Sequence, residues 1–354
     1  MTSTVEPSDP VDRLILDEAE SMVAGRIAVL DDPSGELTVA VAERNPAADL
    51  TVHCDSLVDE RAVDMRSSEL GVSVTIVADL DVALQNAELV LLRLPRSVDA
   101  MSEIAESAAR NGAPGIALVG GARIKHLSRG LNDALGRGFA SVHASLGRSK
   151  SRVLHAGEKK DAVPNRWPRH RFDDGLGFEV YAHGGVFAGT RVDRGTQLLL
   201  SALEKWRAPS EGPLLDLGCG SGILARWLID HYPQRSIWAS DVSAAAVASA
   251  RQTLAGTTVQ VERRDGLSGL ESSSVGAIVS NPPFHVGAAK DSGPTIDMIK
   301  DASRVLRTGG ELIMVYNSHL PYLQRLQRIG ATKIIARDRN YLVTRSVKGR
   351  SAGR

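Results

Sequence analysis

The run Asp216-Leu217-Gly218-Cys219-Gly220-Ser221-Gly222 constrains this chain more than any other stretch. It follows an apolar segment, residues 213–217, that reads as a buried strand, and it opens residues 222–231, which read as a helix. Glycines at alternate positions let the backbone turn sharply and let a ligand lie against main-chain groups. A strand that turns straight into a helix begins a parallel β-α-β unit, so the segment calls for an α/β sheet. Tight turns also use glycine for steric reasons alone, so the surroundings must decide. Further strands are expected at 236–240, 259–263, 275–280 and 311–316, alternating with helices at 244–254, 295–306 and 321–329. A final strand pair is expected at 333–338 and 341–345. Upstream of the run lie an expected strand at 178–182, a turn at 184–187 and a helix at 194–206.

The first half shows the same alternation. Residues 1–10 read as a disordered leader, and 12–24 as a helix with Leu14, Ile15, Ala19 and Met22 on one side. Strands are expected at 26–30, 50–53, 72–77, 89–94 and 115–119, with helices over 98–110 and 128–135. Residues 147–171 break the pattern. They hold Arg148, Lys150, Arg152, Lys159, Lys160, Arg166, Arg169 and Arg171 against Glu158 and Asp161. Pro164, Trp167 and Pro168 interrupt any regular element there, so the middle reads as a linker. Such a charge run is ordinarily a solvated segment; phosphate contact is the sharper reading.

At 354 residues the chain is long enough for two cores. Its zero net charge conceals an asymmetry: residues 1–146 carry 12 Lys and Arg against 23 Asp and Glu, and the remainder carries 30 against 19. A polyanionic partner for the second half is one explanation, and mutual attraction of the halves is the other. Two cysteines, Cys54 and Cys219, are too few for a disulfide scaffold or a Cys-based zinc site. No apolar h-region opens the chain and no run approaches a membrane span of roughly 20 residues, so the expected location is cytoplasmic, with no membrane partner.

The halves also resemble one fold written twice. The strand ending in Asp31 matches the strand ending in Asp216 at an offset of 185. Leu91-Leu92-Arg93-Leu94-Pro95 matches Ile278-Val279-Ser280-Asn281-Pro282 at 187, and Lys125-His126-Leu127 matches Ser318-His319-Leu320 at 193. The first copy lacks both chemically suggestive stretches. It has Asp-Asp-Pro-Ser-Gly for the glycine run and Leu94-Pro95-Arg96 for Asn281-Pro282-Pro283-Phe284.

That last stretch is the second focus. Two prolines force the chain out of the sheet on a fixed, extended path, with an amide before them and an aromatic ring after them. The Asn281 carboxamide oxygen and a nearby carbonyl can both accept from one planar NH2 group, and an aromatic face can stack on a base. Asp241 ends the next strand 25 residues after Asp216, placed to accept ribose hydroxyls. Asp265 ends the third strand, placed to meet an adenine edge. A nicotinamide dinucleotide fits less well, because the turn lacks the spacing that seats a pyrophosphate.

The joint pattern resembles class I S-adenosylmethionine-dependent methyltransferases, in the subset whose Asn/Asp-Pro-Pro-Phe/Tyr motif modifies planar amino nitrogens. A closer resemblance covers almost the whole chain. Gly185-Val186-Phe187, Asp193-x-Gly195-Thr196-Gln197-Leu198-Leu199-Leu200, Asn281-Pro282-Pro283-Phe284-His285-x-Gly287 and Asn317-x-x-Leu320-Pro321-Tyr322 are similar to bacterial ribosomal RNA guanine-N2 methyltransferases, both the methyltransferase C type that acts on the small subunit and its large-subunit relative. Leu92-Arg93-Leu94-Pro95-Arg96 and Lys125-His126-Leu127 extend the likeness into the first half. Arg96, Ser318 and Ile329 depart from the residues usual there (Lys, Arg and Phe), which bears on the subunit and not on catalysis.

The resemblance implies two tandem Rossmann-like class I methyltransferase domains, an α/β duplication with a degenerate N-terminal copy. The expected bounds are 1–155 for that copy, 156–175 for a basic linker and 176–354 for the catalytic domain. It implies S-adenosyl-L-methionine held by Phe187, Asp216, Gly218, Cys219, Gly220, Gly222, Asp241, Val242, Asp265, Gly266 and Asn281. Catalysis falls to Asn281, Pro282, Pro283 and Phe284: the Asn281 oxygen and the Pro282 carbonyl accept the hydrogens of a guanine 2-amino group, and Phe284 stacks on the flipped base. The partner is ribosomal RNA or a ribosomal subunit, with the small subunit as first expectation; nothing fixes the oligomeric state. An adenine amino group, a glutamine amide and a non-enzymatic RNA-binding assembly role are the competing readings. His285 and His319 read as histidines packed for structural reasons, and Cys219 as a small filler. Arg93, Arg96 and Lys125, Arg263-Arg264 and the tail from Arg337 are candidate phosphate contacts.

Overall fold

The computed structural model describes residues 6–282 and 293–349. The chain divides into two compact units, Met1–Arg169 with His183–Gly185 and His170–Ala182 with Val186–Arg354.

The first unit is built on strands β1 (Arg26–Leu30), β2 (Asp49–His53), β3 (Thr75–Ile76), β4 (Leu89–Arg93), β5 (Ala117–Arg123), β6 (Phe139–Ala144) and β7 (Ser151–Lys159). Their order across the sheet is β3-β2-β1-β4-β5-β7-β6. Pairing is parallel from β3 through β5, and β7 runs antiparallel to both β5 and β6. Helices α1 (Pro10–Ala19), α2 (Glu36–Arg44), α3 (Leu57–Glu69), α4 (Leu80–Ala83), α5 (Val98–Asn111) and α6 (Arg129–Gly138) complete it. In α5 the spacing of Met101, Ile104, Ala105 and Ala108 turns one face into a core shared with Val90, Leu92 and Leu118. Each large side chain buried there contributes about 1.5–3 kcal/mol.

Three expectations need correction in this unit. Residues 6–10 are no leader: Asp9 accepts from the Val11 N–H at 2.8 Å, Pro10 takes the first helical position, and the Ser8 N–H and hydroxyl donate to Glu36 at 2.6 and 2.8 Å. The strand expected at 72–77 shrinks to Thr75–Ile76, since Val72 donates back to the Ser67 carbonyl at 2.9 Å and belongs to the end of α3. The basic linker is flanked and overlapped by strands. Its first residues lie in β7, whose buried Ser151, Val153, Leu154 and Ala156 alternate with the charges that hid the strand from a charge count. Residues 160–168 have no regular element.

The second unit opens with a two-stranded ribbon, β8 (Arg169–Asp173) with β9 (Phe178–Ala182). Its main sheet comprises β10 (Leu214–Leu217), β11 (Ile237–Asp241), β12 (Gln260–Arg263), β13 (Val275–Ser280), β14 (Leu306–Asn317), β15 (Gly330–Arg337) and β16 (Tyr341–Lys348). The order is β12-β11-β10-β13-β14-β16-β15, the arrangement of the first sheet strand for strand, with β16 antiparallel to both its neighbours. Helices α7 (Arg194–Leu203), α8 (Ile223–His231) and α9 (Ala244–Thr253) belong to one core with Leu214, Ala239 and Val279. Helix α10 (Gly293–Val305) packs on the other face with Leu215, Ile278 and Met314, where α11 (Leu323–Leu326) also lies. The chain is therefore a mixed α/β, Rossmann-like protein with parallel-dominated sheets. No helix among the described residues is long and apolar enough to cross a membrane.

Candidate cofactor and acceptor site

In the second sheet the strand order reverses between β10 and β13, and ligands of open α/β sheets lie at the carboxyl ends beside such a reversal. The predicted residues converge there. Asp216 is in β10, Asp241 ends β11, Asp265 follows β12 by two residues, and Asn281 follows β13. Asp241 is the register partner of Arg263, and the Arg264 N–H donates to the Asp241 carbonyl at 2.8 Å, so the ends of β11 and β12 advance together. The Ser280 hydroxyl donates to the Leu217 carbonyl at 2.7 Å, tying the residue before Asn281 to the residue before Gly218. Sequence reasoning missed this buried serine.

Gly218, Gly220 and Gly222 adopt left-handed φ values of 75°, 53° and 82°. At Gly218 a Cβ would meet nothing within 4 Å, and at Gly220 only Val186 Cγ1 at 3.9 Å, so this face of the turn is open backbone. At Gly222 a Cβ would press on Ala250 of α9 at 3.1 Å, so this glycine serves helix packing. Asp216 is fully buried. One carboxylate oxygen, Oδ2, accepts from the Ala225 N–H at 2.9 Å, while the buried Oδ1 has no hydrogen-bond partner among the described residues. Burial pushes its pKa to about 7; the Ala225 bond opposes this and the Asp241 charge adds to it. Asp241 accepts from Gly220 N–H at 2.9 Å and from Ser243 N–H at 3.0 Å. The Val242 carbonyl accepts from Arg263 Nε at 3.4 Å, and Gly266 turns the chain after Asp265 with φ 54°. Cys219 is buried, and burial, then the Asp216 and Asp241 charges, push its thiol pKa well up, which suits a filler and not a nucleophile. Phe187 is 78% exposed, next to the buried Val186 that reaches Gly220.

Asn281 is half-buried and held by its nitrogen. Its Nδ2 donates to Asp193 Oδ2 at 3.2 Å and to Thr196 Oγ1 at 2.9 Å. Asp193 caps α7, accepting at Oδ1 from the Gly195 and Thr196 N–H groups at 2.8 and 3.3 Å. Pro282 is buried, whereas Pro283, Phe284 and His285 lie outside the described residues. His319 is exposed at the β14 end, not packed as expected, because Ser318 and His319 occupy a turn.

The orphaned Asp216 oxygen, the open glycine backbone and the strand-end acid Asp241 fit an adenosyl sulfonium cofactor: acceptors for its hydroxyls and cationic groups surround a surface onto which it can lie. Of the candidate phosphate contacts, Arg93 is committed to Asp12, with bonds of 2.5 and 2.8 Å, while Arg96 and Lys125 are exposed. The cations of the 147–171 stretch are also largely engaged: Arg148 with Asp17, Lys159 with the Gly112 carbonyl, Arg166 with Glu106, Arg169 with Asp99 and Arg171 with Asp173. A cavity of about 900 Å³ in the first unit, lined by Leu16, Met22, Arg44 and Leu89, includes no predicted residue.

The first unit has the same turn with other side chains. Gly35 precedes α2 with φ 73° as Gly222 precedes α8 with φ 82°, and Asp31 (φ 56°) stands where Gly218 (φ 75°) does. The Asp31 N–H donates to the His53 carbonyl at 2.9 Å, as Gly218 donates to Ser240 at 2.8 Å. Each pair is 187 apart in number, so the sequence pairing of Asp31 with Asp216 is two residues out of step. Val29 answers to Asp216, Pro33 to Gly220 and Cys54 to Asp241.

The family model for the methyltransferase small domain matches residues 177–345, and that for the RLMG N-terminal domain matches residues 2–160. Proteins called ribosomal RNA large subunit methyltransferase G are similar end to end. That of Streptomyces avermitilis is 31% identical over 97% of this chain and 95% of its own length. That of Streptomyces coelicolor is 31% identical over 97% and 96%, and that of Shewanella amazonensis 28% over 94% and 89%. In fold the chain matches a T. thermophilus 16S rRNA N2 methyltransferase solved with AdoMet and guanosine, with a TM-score of 0.76 over 96% of this chain and 92% of that one at 23% identity. With full-length relatives 31% identical and a site that fits the cofactor, the chain belongs to the ribosomal RNA large subunit methyltransferase G family, S-adenosylmethionine-dependent methyltransferases of class I.

Proposed function

We propose that this protein methylates the exocyclic 2-amino group of a guanine in ribosomal RNA, and that the acceptor lies in the large subunit. The observation that carries the reading is the convergence at the carboxyl ends of the strands of the glycine turn, Asp241 and Asn281-Pro282, joined by the Ser280 bond to Leu217. The large subunit is favoured over the small one by the N-terminal domain match and by the full-length relatives. The small subunit, preferred from sequence alone, retains the support of the T. thermophilus fold match.

The cofactor supplies an electrophilic methyl group and its own leaving group. The chain supplies the rest. Asp241 accepts ribose hydroxyls, Asp265 meets the adenine edge, and the open backbone at Gly218 and Gly220 allows close approach. Asn281 Oδ1 and the Pro282 carbonyl accept the two amine hydrogens, which turns the nitrogen lone pair toward the methyl group, and Phe284 stacks on the base. A guanine amine is a poor nucleophile because its lone pair is delocalised into the ring, so alignment carries the rate. The methylated nitrogen, cationic and acidic, then gives its extra proton to water, and no strong base is needed.

We further propose that the first unit is a degenerate copy of the second, joined through residues 160–168, the part of the expected linker that carries no regular element. The common strand order and the matching turns support this. Without counterparts of Asp216 and Asp241, and with Pro33 lacking an N–H, that copy has no cofactor site.

The test is label transfer from S-adenosylmethionine to separate pools of large subunits, small subunits, naked ribosomal RNA and DNA, from cells lacking this gene. The labelled nucleoside is identified by mass, with Asn281→Ala as control. N2-methylguanosine in the large-subunit pool is expected. Label in the small subunit alone overturns the subunit assignment, and label in no RNA pool overturns the reaction.

A further inference from the structure

Asp193 lies 88 residues before Asn281, and its two carboxylate oxygens have separate tasks. Oδ1 caps α7 through the Gly195 and Thr196 N–H groups. Oδ2 accepts from the Thr196 hydroxyl at 2.5 Å and from Asn281 Nδ2 at 3.2 Å, while Thr196 Oγ1 also accepts from Nδ2 at 2.9 Å. Because Thr196 gives its only hydroxyl proton to Asp193, its oxygen can offer Asn281 nothing but lone pairs. Both partners of the amide are therefore acceptors. They lie 2.5 Å apart, on one side of Nδ2.

An amide's two ends differ only in whether they donate or accept, and its neighbours decide which end faces which way. Here a carboxylate fixes the nitrogen inward, because turning Oδ1 toward Asp193 would set oxygen against oxygen at the position the donor now holds. The helix carrying Asp193 is itself anchored at its other end: Trp206 Nε1 donates to the buried Glu311 at 2.7 Å, and Glu311 also receives Arg345 Nε at 2.8 Å. Gly195 leaves room for the cap, since a Cβ there would lie a tight 3.1 Å from Asp193 Oδ1, whereas toward Asn281 Nδ2, at 3.6 Å, it would make only ordinary contact.

We propose that Asp193, relayed by Thr196, is the positioning residue that presents Asn281 to the acceptor as a hydrogen-bond acceptor, and so selects substrates that donate from a planar NH2 group over those that offer a lone pair. This rests on the role given above to Asn281. Asp193 touches neither substrate nor cofactor in that scheme; it acts through the orientation of one amide.

Asp193→Asn separates orientation from capping. Asn caps a helix about as well as Asp, so Oδ1 keeps its two N–H partners, while an NH2 replaces Oδ2 and turns the Asn281 amide over. In the full chain, with large subunits as acceptor, kcat is expected to fall about tenfold to a hundredfold, the scale of a misplaced reacting group. KM for the subunit and cofactor affinity, measured by calorimetry, should stay within about twofold. The pair Asp193→Asn/Asn281→Asp should then recover at least about tenfold over Asp193→Asn alone, because a carboxylate at 281 accepts from the new NH2 and still presents an oxygen outward. Because 193 and 281 touch, the pair could also regain stability, so kcat is compared per folded enzyme at a temperature below every variant's melting point, where only reorientation of the 281 side chain changes turnover. Wild-type turnover by Asp193→Asn, or no rescue in the pair, overturns the inference while Asn281→Ala still abolishes transfer. Full transfer by Asn281→Ala overturns the role of Asn281 and this inference together.

Discussion

The turns after β1 and β10 have nearly one backbone and two chemistries. Both pass through a left-handed residue at the strand end and a left-handed glycine at the helix start, and both glycines press on the next helix, Gly35 on Val63 of α3 and Gly222 on Ala250 of α9. In the first turn the buried Asp32 gathers its own loop: Oδ1 accepts from Ser34 and Gly35 N–H at 3.2 and 3.0 Å, and Oδ2 from Thr38 N–H at 2.8 Å. In the second, Cys219 takes that position and accepts nothing comparable. The helix start is capped from inside the strand by Asp216, which leaves one oxygen without a partner among the described residues, and Gly220 donates to Asp241. The first turn is satisfied by its own side chains and the second only in part. One backbone turn can thus carry two different sets of side chains, since a site resides in a few side chains and not in the fold.

The largest effect should follow from importing the first turn's residue at Asp241, the acid proposed to hold the ribose hydroxyls. Asp241→Cys removes a carboxylate whose hydrogen bonds to hydroxyls are worth about 1.5–3 kcal/mol each. We expect cofactor affinity to fall by about two to three orders of magnitude in calorimetry, with the sheet intact by circular dichroism. Affinity within threefold of wild type would remove Asp241 from the site and erase the main contrast between the turns.

Next in size is a pH effect confined to the second turn. The Asp216 pKa is raised from 3.8 to about 7 in the fold, by burial first. Its contribution to stability is therefore complete below about pH 4, declines as pH rises toward 7 because the folded state holds a proton the unfolded chain has released, and is flat above. Each pKa unit corresponds to about 1.4 kcal/mol. Asp216→Asn should remove that decline, so its urea midpoint, relative to wild type, should improve between pH 5 and pH 8 in the absence of cofactor. Parallel curves for the two proteins would show that Asp216 is ionised in the fold.

These contrasts also show what the sequence made legible. The places of the glycine run, Asp216 and Asp241 at a turn and at strand ends could be read directly because strand, turn and helix are contiguous. Strand β7 could not, because its charges mask an alternation that matters only once β5 and β6 flank it. The ties of Ser280 to Leu217 and of Asp193 to Asn281 were equally silent, although Asp193 itself heads a stretch that carries the family likeness. The partners lie 63 and 88 residues away, and no local spacing encodes such a pairing. The turn alignment slipped by two residues for a similar reason: matching aspartates by type overlooked that a left-handed φ, not a carboxylate, is what Asp31 and Gly218 share.

A smaller effect tests the part the turns have in common. Gly35→Ala and Gly222→Ala each place a Cβ on a left-handed backbone against a neighbouring helix, 2.9 Å from Arg66 Cβ in one case and 3.1 Å from Ala250 Cα in the other. Each should cost about 1–3 kcal/mol in urea unfolding. Similar losses would support one shared backbone device, and a neutral Gly35→Ala would mean that the first turn has relaxed away from it.

The smallest effect should come from opening the closed turn. Asp32→Ala leaves the Ser34, Gly35 and Thr38 N–H groups without their acceptor, a lost cap worth about 0.5–2 kcal/mol. Water can enter to satisfy part of that loss, which keeps the cost at the scale of a cap and not of a buried ion pair. Because Asp32 serves only its own loop, the loss should register in the unfolding of the first unit and leave cofactor affinity within about twofold. Calorimetric titration of the variant alongside its melting curve distinguishes the cases. If cofactor affinity fell in step with stability, the first turn could not be a self-contained remnant, and its carboxylate would have to be counted among the determinants of the working site.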